Sequence, residues 1–405
     1  MPDYNAPGVY VEENPFGPKP IVGLSTSAAG FVGPTHAGPA EGLPQLVTSL
    51  NEFERTFGDA QPMQFAGMTP MPNFLWYAVR AFLDNGGQRL YVARVFRPNT
   101  DSVDGDRPLA VDYEGIADDT GLVASGLHAL ARIDEVSIVA APGAAYGMTG
   151  AFADEAEKIA GALIAHAEQT RYRIAVLDSG DAQSVAQVDA FRAKFNSSYA
   201  ALYYPWVQVA DAATGTALNV PPSGFIAGVY ARTDHERGVW KAPAGVPLTS
   251  AVGLERQIDD STTEALTQTG VNCLRHFPGR GYLVWGARLV SSDPEWKYVN
   301  VRRYFAYLEH SIDAGTRWAV FEPNGDQLWA NVQQSIASFL FKEWKSGALQ
   351  GLKPEQAYFV RCDRATMTQN DIDNGRLVAI VGVAAIKPAE FVIFRIGQWT
   401  ADHTT

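Results

Sequence analysis

Cysteine is scarce in this chain, with two residues in 405, Cys273 and Cys362. Two thiols make neither a disulfide framework nor, alone, a four-ligand zinc site. Histidine is little better represented. The seven (His36, His128, His166, His235, His276, His310 and His403) include no pair at metal-ligand spacing, so no metal and no cofactor is expected. Positive charge is also short, 32 Lys and Arg against 44 Asp and Glu, for a net charge of −12. Such a chain repels nucleic acid and anionic membranes unless a local basic patch intervenes. The expectation is no direct nucleic-acid contact and no membrane insertion. No apolar run nears the ~20 residues that a membrane helix needs. Met1-Pro2-Asp3-Tyr4 lacks the basic start and apolar stretch of a secretory leader, so a protein made and assembled in the cytosol is expected.

What is present is core-forming material. Hydrophobic residues make up 46% and charged residues 19%, enough to bury a sizeable core and to exclude global disorder. Glycine (37) and proline (24) are plentiful, and many flank strand-like runs at the two chain ends.

The first such run is Val9-Tyr10-Val11-Glu12, preceded by Pro7-Gly8 and followed by a stretch holding Pro15, Pro18 and Pro20. It reads as an extended arm on a stiff spacer. It has no adjacent hairpin partner, so its backbone must find a sheet edge elsewhere. Ile21 to Val32 reads as a strand. Ser49-Leu50-Asn51-Glu52 is a capping box for a helix stopped at Gly58. Asn73 caps a second helix with Leu75, Ala78, Val79 and Phe82 on one face, and Arg89 to Phe96 is a strand. From Val136 to Tyr204 strand and helix alternate, which implies parallel pairing with helices on the faces. Ser261 to Gly270 is polar. Val271-Leu274 and Tyr282-Ala287 read as strands, Val301 to Ile312 as a helical stripe and Trp318-Phe321 as a short strand. Leu328, Trp329, Val332, Ile336, Phe339 and Leu340 mark the clearest amphipathic helix. Ala357-Arg361 is a strand, and Arg376-Ala385 and Phe391-Ile396 are two closing apolar runs.

No catalytic constellation emerges, and no enzyme is expected. Gly279-Arg280-Gly281 lacks the endings of phosphate-binding loops. Cys273 and His276 have no third group to orient them, so Cys273 reads as buried and structural. Asp234-His235-Glu236-Arg237 reads as a solvated loop or subunit contact before an acid–base site. Asp371 and Asp373 lack the glutamate of a calcium loop and read as a turn. An α/β enzyme with its site at the strand ends near Asp178 stays open as the alternative. Lys342 and Lys345, at the end of the amphipathic helix, either complement its dipole or form a cationic face toward an acidic partner.

Architecture is more telling. The two apolar, proline-bounded ends are each built to add a strand to a sheet. If both engage neighbours, the assembly is open-ended and heterologous, as in filaments or tubes. If they pair with their own core, no assembly follows. On pattern the two readings stand level.

Pro7-Gly8-Val9-Tyr10-Val11-Glu12-Glu13, Gly30-Phe31-Val32-Gly33-Pro34-Thr35, Asn51 to Gly58 and Gly86 to Val95 resemble successive blocks of contractile tail sheath proteins. The strongest likeness runs from Val271-Asn272-Cys273-Leu274-Arg275-His276-Phe277-Pro278-Gly279-Arg280-Gly281 through Val284 to Arg288, and on through Ser291 to Arg303. The family is that of phage tails, pyocins and extracellular contractile injection systems. The resemblance implies an α/β fold with α+β parts: a compact two-part sheath subunit with extended N- and C-terminal strand arms. The division expected is 1–20 N-terminal arm, 21–96 first part of the core sheath domain, 97–132 loop or small insertion, 133–255 middle α/β domain, 256–386 C-terminal core sheath domain and 387–405 C-terminal arm. It implies a helical homo-oligomer around an inner tube protein, with baseplate, terminator or cap proteins and sheath paralogues as further partners, in a phage tail or tail-like particle. It implies arm contacts through Val9, Tyr10, Val11 and Glu12 and through Phe391, Val392, Ile393, Phe394, Arg395 and Ile396. It also implies tube contact by the helix Asp326 to Ser346, with Lys342 and Lys345 facing the tube. A non-contracting tube or baseplate component is the other alternative.

Overall fold

The computed structural model describes residues 19–99, 105–118 and 123–391. The arm residues Val9, Tyr10, Val11 and Glu12, and Val392, Ile393, Phe394, Arg395 and Ile396, lie outside the described residues.

Strand β1 (Ala29–Gly33) and the short β2 (Gln45–Val47) lead into helices α1 (Leu50–Phe57) and α2 (Phe74–Asp84), then β3 (Leu90–Arg94). The stretch 97–132, expected as a loop or small insertion, carries two short helices, α3 (Ala110–Glu114) and α4 (Gly126–Ala131). Then follow β4 (Ile138–Ala140), α5 (Ala153–Thr170), β5 (Ile174–Asp178), α6 (Val185–Arg192) and β6 (Ala200–Tyr204). A small meander, β7 (Val207–Ala210) and β8 (Ala217–Val220), precedes α7 (Ser223–Arg237) and β9 (Gly253–Leu254). Helix α8 (Asp260–Thr269) leads into the hairpin β10 (Val271–Phe277) and β11 (Gly281–Trp285). The chain ends in α9 (Val299–Thr316), α10 (Asp326–Lys345), α11 (Pro354–Ala357), β12 (Tyr358–Arg361), α12 (Gln369–Asp373) and β13 (Ile380–Val383).

Eight strands form one sheet in the order β11-β10-β6-β5-β4-β1-β3-β2. The six inner strands are parallel, and β2 and β11 close the edges antiparallel. Strands β4, β5 and β6 are buried along their whole length, because helices cover both faces. Alternate residues feed opposite layers. Phe31, Val92, Val176 and Tyr203 pack toward α2 and α7. Val32, Ala93, Leu177 and Tyr204 pack toward α5, α6 and α8. A third core is separate. Leu308, Trp329, Val332, Ile336, Phe339 and Leu340 of α9 and α10 gather with Ala357 and Cys362 beneath the β12–β13 ribbon.

Local signals explain many boundaries. Ser49 accepts the Glu52 amide and Asn73 accepts the Trp76 amide, as the two caps require. Two expectations fail. Trp318-Phe321 is not a strand but a 3₁₀ turn (Arg317–Ala319) running into an exposed loop. No neighbouring strand among the described residues offers it a partner, and Phe321 is fully exposed with φ +68°. The strand expected from Ile21 begins only at Ala29, because residues before it lie against α9 instead of in the sheet. The stretch Ser261 to Gly270, read from sequence only as polar, forms most of α8 and its Gly270 cap, held by the Asp259 side chain accepting the Thr262 amide and by burial of Thr263 and Leu266.

Candidate assembly surface

The carboxyl ends of β4, β5 and β6, where an α/β enzyme keeps its site, are plugged. Phe74 and Trp206 meet edge to face with ring centroids 5.3 Å apart, and Tyr146 packs against Phe74 at 5.1 Å. The indole of Trp206 donates to the Ser179 carbonyl (2.7 Å). Asp178 is buried behind this plug and accepts both the amide and the hydroxyl of Ser223, each at 2.7 Å. Burial pushes its carboxyl up to about 7 against those two hydrogen bonds. Asp178 therefore ties β5 to the first turn of α7 and faces no solvent-filled cleft. Burial likewise raises the thiol of Cys273 to about 12 and that of Cys362 to about 11. Asp371 accepts the Thr368 amide (3.0 Å) as part of a helix cap. Among the described residues no cluster of three metal-ligating side chains occurs, and no helix is long and apolar enough to cross a membrane.

The polar cluster at Asp234 is not a solvated loop, because it lies in the last turn of α7. Its first member is buried: Arg303 donates to Asp234 Oδ1 at 2.9 Å and to Oδ2 at 2.6 Å, with 3% and 5% of the two side chains exposed. The Thr26 hydroxyl adds a third hydrogen bond at 2.6 Å. The neighbouring His235 is exposed.

The C-terminal module presents the open surface. Among the described residues β12 and β13 pair only with each other, antiparallel, in the register Tyr358↔Val383 to Arg361↔Ile380. A two-stranded ribbon in water is marginal on its own. This one is backed by α10 and leaves Phe359 and Ile380 exposed on its outer side. Tyr304 and Tyr307 of α9 donate to Glu343 of α10 at 3.2 and 3.0 Å, so the two helices are cross-tied. Burial raises the Glu343 carboxyl despite those two hydrogen bonds. Lys342 and Lys345 lie on either side of Glu343 and are exposed in the last turn of α10.

The root of the C-terminal arm is anchored nearby. Arg288 grips Glu390 with two hydrogen bonds, 2.7 Å to Oε1 and 2.6 Å to Oε2. Tyr298 donates to the same carboxylate at 3.1 Å, and Lys297 lies 3.5 Å away. Partial burial opposes ionisation of Glu390, but the pull of Arg288, Lys297 and Tyr298 outweighs it and holds the carboxyl below its ordinary range. Phe391, the next residue, is exposed. Sequence reasoning missed Glu390, Arg288 and Asp234 as structural anchors. Arg288 and Glu390 are 102 residues apart, and no local pattern pairs them.

Two family models match the chain: the phage tail sheath protein central domain over residues 124–288 and the phage tail sheath C-terminal domain over residues 291–398. Together they cover more than half of it. A major tail sheath protein of a prophage in Pseudomonas aeruginosa is 28% identical over 253 residues, 61% of this chain and 64% of that protein. The tail sheath protein of Vibrio phage KVP40 is 28% identical over 187 residues, 45% of this chain and 27% of that protein. The chain thus matches less than two thirds of the length of these relatives. A chain in the contracted helical sheath of the anti-feeding prophage is 32% identical, with a TM-score of 0.73, covering 98% of this chain and 100% of that one. A chain in the contracted sheath complex of the extracellular contractile injection system PVC is 27% identical, with a TM-score of 0.76, covering 98% and 99%.

Proposed function

The chain belongs to the contractile tail sheath family, and from that premise we propose that it is the structural subunit of a contractile sheath. It polymerises helically around an inner tube and contracts to drive that tube through a target envelope. The likeness to a sheath chain over 98% of its length carries this reading. Its free energy source is the difference between two packings of the same subunits, so the subunit needs connectors that survive rigid-body rotation. Donated strands serve that purpose. The β12–β13 ribbon receives them, because its outer edges are unpaired by other described strands. Val9 to Glu12 and Phe391 to Ile396 are the donors.

Baseplate and cap proteins bind at the two ends of the polymer, and the particle is assembled in the producing bacterium's cytoplasm. Lys342 and Lys345 face the tube. Their exposure at a helix end, with no acidic partner within salt-bridge distance among the described residues, supports this assignment.

Electron microscopy of the purified protein tests the reading. Rings or cogwheel tubes are expected. Smooth narrow tubes would make it an inner-tube component, and monodisperse small particles would remove the sheath assignment. Deleting Met1–Asn14, or truncating before Phe391, should leave a folded subunit without tubes. Reversing the charge of Lys342 and Lys345 together should abolish docking of an inner tube while leaving the sheath lattice able to form.

A further inference from the structure

Helix α9 touches both ends of the described chain. Residues 19–26 run antiparallel along it. The Lys19 ammonium lies over the Trp318 ring at 5.3 Å. Ile21 is buried against Gly315, where a Cβ would come within 2.7 Å of it. The Leu24 amide donates to the Ser311 hydroxyl at 3.1 Å. Arg303 donates to the Thr26 carbonyl at 2.9 Å while holding Asp234. The partner number on the helix falls as the residue number on the strap rises. The opposite end of α9 holds the other root: Asn300 donates to the Ile386 carbonyl at 3.2 Å, and Tyr298 donates to Glu390. Arg288 ties that same carboxylate to the central sheet, since its own amide donates to Asn272 of β10 at 2.6 Å.

We propose that α9 is a strut that fixes the separation of the two arm exits, with Ile21 packed on Gly315 fastening the chain toward its C-terminal end and Arg288–Glu390 at its N-terminal end. The inference rests on the sheath reading for its use in an assembly. Its 18 residues span about 27 Å at 1.5 Å per residue. Arms leaving from opposite ends of one rigid helix carry load through that helix and not through the packing of the cores. The mesh spacing set by each subunit then stays constant while subunits rotate against one another. Arg288, Tyr298 and Asn300 at the N-terminal end, Arg303 one turn further in, and Ser311 and Gly315 toward the C-terminal end are positioning residues for strand donation.

Pulsed electron-spin distance measurement between labels at Pro20→Cys and Phe391→Cys tests this on the full chain. The native thiols, Cys273 and Cys362, are buried and stay unlabelled. The expected result is one narrow distance peak in the free subunit, unchanged in tubes diluted with unlabelled protein. Glu390→Gln should broaden or shift that peak with no change in circular dichroism. Glu295→Gln, an exposed neighbour, should leave it alone. Arg288→Gln repeats the test from the partner side if the first variant folds poorly. A broad peak in the parent protein, a peak that moves on assembly, or a peak indifferent to both variants overturns the strut. Absence of tubes from the unlabelled parent would instead overturn the sheath reading and leave the free-subunit result standing.

Discussion

Arg303 and Asp234, 69 residues apart, meet in a two-pronged ion pair almost wholly removed from solvent. The guanidinium also lies 4.7 Å from the centre of the Tyr230 ring, and the Tyr230 hydroxyl meets that of Tyr203 at 2.7 Å. One interaction thus joins the C-terminal module to α7 and to β6 of the central sheet.

Removing one partner of such a pair strands a buried charge. Asp234→Ala should lower stability by about 3–5 kcal/mol, read as a shift in the urea unfolding midpoint. Thr26→Ala removes one hydrogen bond to the same carboxylate and should cost about 1 kcal/mol. Equal losses for the two variants would mean that the ion pair adds nothing beyond the hydroxyl contact.

Helices α2 and α7 cross with backbones in close approach. A Cβ on Gly224 would come within 2.6 Å of the Ala78 backbone, and one on Gly228 within 2.6 Å of the Phe82 carbonyl oxygen. Gly224→Ala and Gly228→Ala should each destabilise by about 1–3 kcal/mol through overpacking. Alanine otherwise favours helices, so a rise in melting temperature for either variant would refute the close crossing.

Asp178 is held protonated to about pH 7, against an ordinary value of 3.8. A raised carboxyl contributes stability that is full below the unfolded value and is lost as pH climbs through the folded one. Asp178→Asn mimics the neutral form. Its stability relative to the parent should therefore rise between pH 4 and pH 8, by on the order of 4 kcal/mol. Urea titrations at three pH values check this, and a constant gap would show that Asp178 ionises normally.

Both thiols should resist a disulfide reagent in the native protein, since thiolate is the reactive form and burial suppresses it at Cys273 and Cys362. Two equivalents should react only once denaturant unfolds the chain. A fast native reaction at either site would expose a local opening.

The alternation of strand and helix from Val136 to Tyr204 was legible because each element carries its own period and stop. β4, α6 and β6 fall inside the segments expected for them, and α5 and β5 overrun theirs by only one or two residues. The amphipathic stripe of α10 was legible for the same reason. Where the local signal was weak, tertiary context decided. Helix α8 has only two buried side chains, Thr263 and Leu266, too few to print a stripe. Residues 21–28 have the composition of a strand, yet contacts with Ser311, Asp234 and Arg303 draw them onto α9.

By itself the sequence determined the class of the fold and the likeness of its blocks to tail sheath proteins. These depend on residue types and short spacings, which are local. The tertiary structure decided that the strand ends are plugged by Phe74, Tyr146 and Trp206, and that Asp178 is an inward tie. It also decided that Glu390 and Arg288 share one carboxylate grip and that α9 carries both chain roots. Those relations join residues separated by tens to hundreds of positions. Charge pairing and burial create them only once folding brings the residues together.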